Sequence, residues 1–368
     1  MAFNFFKKKE SAPKPVSGTH YRELVVREVV QETKDAVRLI FEQAQPEITY
    51  RAGQFLTLIL NIDGKEVRRA YSLCSSPETD SHPAVAIKRV ESGLVSNHIA
   101  GHVKQGDKIR IMEPAGHFTV DFSKDASRHL ILFAGGSGIT PMLSLIKTLL
   151  FTEAKSRCTL VYANRNQESI IFKAELDRLQ SANPDRFSIF HLLDQADANW
   201  KGFRGFLTAE ILQSIMNQIP DFGSEQTSFM VCGPEAMMKN AEALLLQRGI
   251  AADRIRHESF TAAASDTAKK EQPAADGKSH EVLIRYDGQE FRVSVDPDKT
   301  ILASALDKGI DLPYSCQSGL CTACRGKAIS GKVKLDEEDG LSKSELEEGY
   351  VLTCVGHPLT DDVVIEIG

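Results

Sequence analysis

The sequence predicts a multi-domain chain: an antiparallel β-barrel, then an α/β domain with a parallel sheet, then a small α+β domain. Three observations support this order. Short β-branched runs with turn signals fill residues 21–122, strand and helix patterns alternate after residue 128, and a new strand pair starts at residue 281. A chain of 368 residues exceeds what one hydrophobic core usually serves, so several cores are expected.

The barrel is predicted over residues 20–123. Asp63-Gly64 supplies a turn signal between two of its strand patterns. Residues 1–19 are polar and offer little to bury, which predicts a flexible tail. The clearest strands are residues 24–30, 55–60 and 85–90.

The α/β domain is predicted over residues 124–260. A buried strand at 129–134 is followed by a helix at 141–151, and the pair recurs along the segment. This alternation implies a parallel sheet covered by helices, an architecture typical of nucleotide binding. The recurring pairs are strand 158–163 with helix 170–180 and strand 228–232 with helix 235–248.

A linker separates the last domain from the others. Residues 261–279 lack large apolar side chains and predict a flexible connection. The final domain, residues 280–368, opens with strands at 282–286 and 291–295 around the turn Asp287-Gly288.

Charge and hydropathy exclude several function classes. The net charge of −6 argues against a general nucleic-acid binder, and its distribution is uneven: residues 280–368 carry 17 Asp/Glu against 9 Lys/Arg, giving −8 and leaving +2 for the rest. The longest apolar stretch, 129–151, contains glycines, Pro141 and Lys147, so a membrane span is not predicted. The apolar N-terminal residues precede the lysines, the reverse of a secretory signal. These patterns predict a cytoplasmic protein without nucleic-acid or membrane partners.

Four of the seven cysteines form the most specific motif. Cys316-x4-Cys321-x2-Cys324, followed by Cys354 after 29 residues, has the spacing of plant-type [2Fe-2S] ligands. A structural zinc site and four inert cysteines are the alternatives, although zinc sites usually pair two C-x2-C units. Residues 312–324 and 350–358 resemble plant-type ferredoxins. That resemblance implies a β-grasp-like ferredoxin domain in which all four cysteines are metal ligands.

A second motif, Arg69-Ala70-Tyr71-Ser72, follows a predicted strand and suits a flavin nucleotide. The planar fork of Arg69 matches a pyrophosphate, Tyr71 can stack on the isoalloxazine ring, and Ser72 offers a hydrogen bond near its reactive N5. Taken alone, an exposed strand with routine side chains is the competing interpretation.

The neighbouring residues favour the flavin interpretation. Lys88 lies on the next predicted strand, and Gly93-Leu94-Val95-Ser96 begins a predicted helix whose free N–H groups suit a phosphate. Over residues 21–260 this order resembles the ferredoxin-NADP reductase superfamily. The resemblance implies an FAD-binding domain, with FAD favoured over FMN, closed by Pro114-x-Gly116-x-Phe118. It implies flavin contacts from Arg69, Ala70, Tyr71 and Ser72, and from backbone groups of Ile87, Lys88, Gly93, Leu94, Val95 and Ser96.

A glycine-rich loop between the strand at 129–134 and the following helix suits a nicotinamide dinucleotide. Its glycines permit close approach to a pyrophosphate, and Thr140 and Pro141 are expected at the N-cap and first position of the helix. A plain strand-to-helix turn is the alternative. The loop residues expected to bind are Gly136, Ser137, Gly138, Ile139, Thr140 and Pro141.

The superfamily resemblance extends this nucleotide site. It implies that Cys232-Gly233-Pro234 forms the second half, with Cys232 near the nicotinamide, and that Glu258 and Phe260 are an acid-aromatic pair beside the flavin. Ser72, Cys232 and Glu258 are accordingly the predicted catalytic residues. Core packing is the alternative for Cys232, and an ordinary domain end is the alternative for Glu258.

Cofactor choice is predicted from Asn164-Arg165, which follows the second parallel strand where an adenine ribose would lie. Arg165 is suited to a 2′-phosphate, which favours NADPH over NADH. A solvated loop arginine in an NADH enzyme is the alternative.

The order flavin domain, NAD(P) domain and ferredoxin domain resembles the family of phenylacetyl-CoA epoxidase reductase subunits and similar ring-hydroxylating oxygenase reductases. It implies an NAD(P)H-dependent oxidoreductase that passes electrons through FAD and [2Fe-2S], one at a time, to a protein acceptor such as an oxygenase component. The acidic last domain predicts a basic patch on that acceptor. The alternatives are a free ferredoxin or flavodoxin as acceptor, or a non-catalytic electron-carrier module.

Overall fold

The computed structural model describes residues 21–219, 226–260, 277–338, 340–341 and 343–368. The predicted tail lies outside these residues, as does the predicted linker except for residues 277–279. Within the described part of the chain, no helix combines the length and apolar character that a membrane crossing requires.

The first unit is the predicted antiparallel barrel. Its six strands follow the order β4-β3-β6-β1-β2-β5, and every pairing between them is antiparallel. A bridge between Leu73 and Val85 joins the end of β4 to β5, which brings the two outer strands together. Leucine, isoleucine and valine side chains fill the interior. The elements are β1 (Tyr21–Thr33), β2 (Ala36–Phe41), β3 (Phe55–Ile62), β4 (Lys65–Ser72), β5 (Ala84–Lys88), α1 (Leu94–His102) and β6 (Lys108–Met112).

One predicted turn and two predicted element boundaries of the barrel can be compared with the structure. Asp63 and Gly64 take positive φ angles of 53° and 78° between β3 and β4, as a tight hairpin turn requires. The helix predicted to start at residues 93–96 is confirmed, with Gly93 as the N-cap of α1. The strand expected at 85–90 ends earlier, at Lys88.

The second unit is the predicted parallel sheet. Its strand order is β10-β9-β8-β7-β11-β12, and every pair is parallel. All seven residues of the strand β7 are buried, which accounts for its uninterrupted apolar sequence. The elements are β7 (His129–Gly135), α2 (Ile139–Thr152), β8 (Arg157–Asn164), α3 (Lys173–Ala182), β9 (Phe187–Leu193), β10 (Phe203–Arg204), α4 (Ala209–Met216), β11 (Thr227–Gly233), α5 (Glu235–Gln247) and β12 (Ile255–Ser259).

Two helix starts in this unit differ from expectation. The helix expected from residue 141 begins at Ile139, because a 3-10 turn at Gly136–Gly138 leads directly into it. Gly138, not Thr140, is therefore the N-cap, and the Thr140 hydroxyl donates to the Ser137 carbonyl at 3.0 Å. The helix expected from residue 170 begins at Lys173, because Phe172 adopts a left-handed conformation with φ 62°.

The third unit combines a mixed sheet with short helices. The sheet order is β14-β13-β19-β15-β17, with β16 and β18 paired separately. The predicted hairpin is confirmed in β13 and β14, which pair from His280–Val295 to Tyr286–Gln289. The elements are β13 (His280–Tyr286), β14 (Gln289–Val295), α6 (Ile301–Asp307), β15 (Arg325–Ser330), β16 (Val333–Leu335), α7 (Lys343–Glu347), β17 (Tyr350–Leu352), β18 (Gly356–Pro358) and β19 (Val363–Ile367).

Candidate functional site

The three predicted catalytic residues lie together where the first two units meet. The Ser72 hydroxyl, at the end of β4, donates to Oε2 of Glu258 at 3.0 Å. Cys232 pairs with Glu258 in the register of the parallel strands β11 and β12. The parallel strands β11 and β12 place Cys232 and Glu258 side by side at one sheet edge, and Ser72 reaches this edge from the antiparallel barrel.

Burial changes the acidity of this group. Glu258 keeps some solvent contact but is surrounded by protein on most sides, and this desolvation raises its pKa to about 8, which the Ser72 hydrogen bond only partly opposes. Burial and then the charge of Glu258 raise the pKa of the Cys232 thiol. The Cys232 side chain is wholly buried, so its thiol is neutral at physiological pH.

The predicted flavin residues occupy β4 and the start of α1. The Arg69 guanidinium donates to the carbonyl of Arg68 at 2.8 Å, while desolvation raises the pKa of the Tyr71 phenol. The Ser96 hydroxyl accepts from the backbone N–H of Val90 at 3.1 Å, which ties α1 to the end of β5. The N-terminus of α1 therefore lies just after the end of β5, and a helix N-terminus is a suitable place for a phosphate.

The two halves of the predicted nucleotide loop are in direct contact. A Cβ added to Gly138 would lie 2.1 Å from the Cys232 carbonyl oxygen, and one added to Gly135 would lie 2.6 Å from a ring carbon of Pro234. Only glycine permits this approach of the β7–α2 turn to the end of β11. Gly136 has a positive φ of 52°, which also favours glycine.

A cleft of about 270 Å³ opens beside this loop. The side chain of Lys88 reaches into it, with Nζ 3.3 Å from the position that a Cβ on Gly136 would occupy. Burial and the nearby Arg165 guanidinium lower the pKa of Lys88. The cleft is lined by Lys88, Gly135, Gly136, Ser137, Gly233, Pro234, Glu235, Ser259 and Phe260.

The residues predicted for the adenine side lie at the end of β8. Asn164 is buried, whereas Arg165 is exposed and close enough to Lys88 to affect its acidity. Two cations therefore stand near the glycine loop, which is a suitable environment for the phosphates of a dinucleotide.

Sequence reasoning missed part of this cleft. It assigned only backbone groups of Lys88 to the flavin, whereas the structure directs the ammonium toward the glycine loop of the second unit. Glu235 also lines the cleft but was not among the predicted site residues. Its place in the first turn of α5, directly after Cys232-Gly233-Pro234, was the available signal.

The four predicted cluster ligands converge in the third unit. The Cys316 thiol is within hydrogen-bonding reach of Cys321 and Cys354, and Cys354 also reaches Cys324. Hydrogen bonds from Cys321 and Cys354 lower the pKa of Cys316, which favours a thiolate there. None of the four is joined in a disulfide.

The surrounding loop fits an iron–sulfur cluster. The backbone N–H of Ser318 points to Cys316 Sγ at 3.5 Å, and the buried Thr322 hydroxyl has no hydrogen-bond partner among the described residues. Gly319 has a positive φ of 76°, which lets the loop turn back on itself. Nowhere in the described ranges do three His, Cys, Asp or Glu side chains surround one metal position, but a dinuclear cluster divides four thiolates between two irons. The sulfurs of a bound cluster accept hydrogen bonds, so four thiolates with the Ser318 N–H and the unpaired Thr322 hydroxyl nearby form a suitable site.

Family models match all three units. The model described as an oxidoreductase FAD-binding domain covers residues 22–120, the oxidoreductase NAD-binding domain covers 132–243, and the 2Fe-2S iron-sulfur cluster binding domain covers 284–359. The match over residues 22–120 supports FAD over FMN in the first unit, and the match over residues 284–359 supports an iron–sulfur cluster over zinc in the third.

Two related proteins align in sequence with nearly the whole chain. One of the subunits of the 1,2-phenylacetyl-CoA epoxidase of Escherichia coli K12 is 36% identical over 352 residues, covering 95% of this chain and 98% of that protein. The ferredoxin reductase component of the 3-ketosteroid-9-alpha-monooxygenase of Rhodococcus rhodochrous is 35% identical over 354 residues, covering 93% and 96%.

Solved structures show the same fold. An intact type IV self-sufficient cytochrome P450 monooxygenase matches with a TM-score of 0.70 and 22% identity, over 96% of this chain and 43% of that one. Phthalate dioxygenase reductase matches with a TM-score of 0.57 and 23% identity, over 94% of this chain and 98% of that one.

From the three domain matches and the relatives that align with nearly its whole length, the chain belongs to the ferredoxin-NADP reductase superfamily, among the NAD(P)H oxidoreductases that carry FAD-binding, NAD-binding and 2Fe-2S ferredoxin domains in one polypeptide.

Proposed function

We propose that this oxidoreductase is the reductase component of an oxygenase system and delivers electrons from NADPH to an oxygenase component. The observation that carries the proposal is the contact of Ser72 with Glu258 beside the nucleotide cleft, because it joins the FAD-binding barrel to the NAD-binding sheet at one reaction point. The names of the relatives, one part of an epoxidase and the other a reductase component of a monooxygenase, support the choice of acceptor.

The roles of the flavin-side residues follow from their chemistry. FAD bound by these residues would supply the change from two-electron hydride chemistry to one-electron transfer, and a [2Fe-2S] cluster held by the four cysteines would supply one-electron transfer. Arg69 pairs with the flavin pyrophosphate, and Tyr71 provides a flat surface for the ring system. Glu258, protonated near pH 7 because its pKa is about 8, adds no negative charge beside the flavin and holds the Ser72 hydroxyl in place.

The roles of the nucleotide-side residues follow from charge and close approach. Gly136 and Gly138 let a pyrophosphate reach the backbone N–H groups at the start of α2. Lys88 neutralises that pyrophosphate, and Arg165 binds the 2′-phosphate, so NADPH is preferred over NADH.

The acidic ferredoxin domain determines how the acceptor approaches. Its net charge of −8 steers it toward a basic patch on the oxygenase component, so acceptor reduction slows as salt rises. The cytoplasm is the proposed location, since grouped cysteines are typical of metal ligation in a reducing compartment.

The test is an anaerobic titration followed by an acceptor assay. NADPH should bleach the flavin absorbance and then the cluster absorbance, and NADH should do so at higher concentration. Reduced protein is then mixed with a purified oxygenase component, a free ferredoxin or a flavodoxin over a series of salt concentrations.

Fastest reduction of the oxygenase component, declining with salt, supports the proposal. Faster reduction of free ferredoxin or flavodoxin would show that the free carrier, and not an oxygenase component, is the acceptor. A bleached flavin beside a cluster that stays oxidised would refute the electron route itself.

A further inference from the structure

A buried arginine joins the FAD-binding barrel to the ferredoxin domain. Arg68 on β4 exposes only 5% of its side chain. Its NH2 nitrogen donates to Oδ1 of Asp311 at 3.0 Å, and its NH1 nitrogen donates to the hydroxyl of Tyr21 at 3.0 Å. The Tyr21 hydroxyl in turn donates to Oδ2 of Asp311 at 2.9 Å. Both oxygens of the ferredoxin-domain carboxylate are therefore held by the barrel.

Aromatic rings complete the surroundings of this guanidinium. Its central carbon lies 4.2 Å from the ring centroid of Tyr314 and 5.4 Å from that of Tyr21. Cation–π contacts of this kind strengthen when water is excluded. Glu66 accepts from the remaining Nε at 2.9 Å, so each nitrogen of the guanidinium has a partner.

Electrostatics keep this arginine charged inside the interface. Burial alone lowers the pKa of Arg68, but Tyr21, Tyr314 and Asp311 outweigh it and raise that pKa. Buried ion pairs often add little net stability, because desolvation offsets their attraction. What such a pair does supply is a defined orientation, and interfaces between domains of one chain are otherwise mobile by default.

The positions of Arg68 and Asp311 in the sequence connect this orientation with the proposed cofactor residues. Arg68 directly precedes Arg69–Ser72, the residues proposed to hold the flavin. Asp311 and Tyr314 lie in the segment that leads into Cys316, the first proposed cluster ligand. At about 3.3 Å per residue along a strand, Arg68 and Ser72 are separated by about 13 Å.

We propose that Arg68 is a positioning residue that docks the ferredoxin domain on the FAD-binding barrel through Asp311 and Tyr314, fixing the cysteine loop beside the flavin residues for electron transfer within the chain. The proposal rests on the electron route given under Proposed function. It adds a barrel–ferredoxin contact that holds the two domains of that route in one orientation.

The experiment compares two steps of electron transfer in the full-length holoprotein. Stopped-flow absorbance follows flavin reduction by NADPH and then cluster reduction, in Arg68→Ala, in Asp311→Asn and in the control Arg27→Ala. Arg27 lies in the same barrel but is exposed and pairs only with Glu42 among its described contacts.

In Arg68→Ala and Asp311→Asn, cluster reduction should slow by about 10- to 100-fold, the scale on which misplacement by an ångström acts, while flavin reduction stays unchanged. Arg68→Lys, which keeps the charge but loses the planar fork, should recover part of the rate. Small-angle X-ray scattering should show a larger radius of gyration in Arg68→Ala than in the wild type or Arg27→Ala.

Three results would overturn the docking role: cluster reduction at the wild-type rate in both variants, equal slowing of both steps, or an unchanged radius of gyration. Wild-type protein that fails to reduce its own cluster would instead refute the proposed function. The two failures are therefore distinguishable.

Discussion

The Ser72 hydroxyl donates a 3.0 Å hydrogen bond to Glu258, 186 residues further along the chain. The bond links the last residue of a barrel strand to the last strand of the parallel sheet. Because the two residues belong to different domains, the geometry of the predicted reaction point depends on how those domains pack.

Stability should depend on the protonation of Glu258. Its pKa rises from 4.5 to about 8 on folding, so between these pH values the folded state holds a proton that the unfolded state has lost. The free energy of unfolding should therefore fall as pH rises through this window, by at most about 1.4 kcal/mol per pH unit from this group. Chemical denaturation at several pH values should show a flatter profile for Glu258→Gln. A slope that the substitution leaves intact would contradict the burial of this carboxyl.

Substitution of Gly138 should damage the nucleotide site. A Cβ there would lie 2.1 Å from the carbonyl oxygen of Cys232, so Gly138→Ala must separate the two halves of the loop. We expect a loss of about 1–3 kcal/mol in stability together with a higher KM for NADPH. Gly101→Ala is the matched control, because a Cβ on Gly101 in α1 meets nothing within 4 Å. Equal behaviour of the two variants would argue against the close approach.

Removal of one proposed ligand should abolish the iron–sulfur cluster but spare the flavin. In Cys354→Ser we expect loss of bound iron and of the paramagnetic signal of the reduced cluster, with FAD content unchanged, because the barrel lies outside the cysteine loop. Cys158→Ala, in the core of the NAD-binding domain, is the control and should keep its iron. Full iron content in Cys354→Ser would remove this residue from the ligand set.

The choice between dinucleotides should depend on Arg165. Under the proposed preference for NADPH, its exposed guanidinium binds the 2′-phosphate, so Arg165→Gln should raise KM for NADPH by about 10-fold, equivalent to about 1.4 kcal/mol, and leave KM for NADH unchanged. Arg178→Gln, an exposed arginine on α3, serves as the control. If KM for both dinucleotides changed equally, Arg165 would not discriminate between them.

Local patterns were sufficient to predict much of this protein. The alternation of strand and helix, the hairpin turns at Asp63 and Asp287, and the start of α1 depend on neighbours in sequence, and the structure confirms them. The predicted start of α2 was wrong. Thr140 and Pro141 are suitable residues for a helix start, but the 3-10 turn at Gly136–Gly138 leads into the helix before them. Nothing in side-chain preference reveals a 3-10 turn made by glycines.

The sequence by itself determined the order of the three domains and the cofactor classes they bind, since strand periodicity and cysteine spacing are properties of short segments. Only the tertiary structure decided which residues meet across domains: Ser72 with Glu258, Lys88 with the glycine loop, and Arg68 with Asp311 at a separation of 243 residues. Those contacts depend on how whole domains pack against each other. Such packing is set by the sum of many weak surface contacts that no single segment encodes.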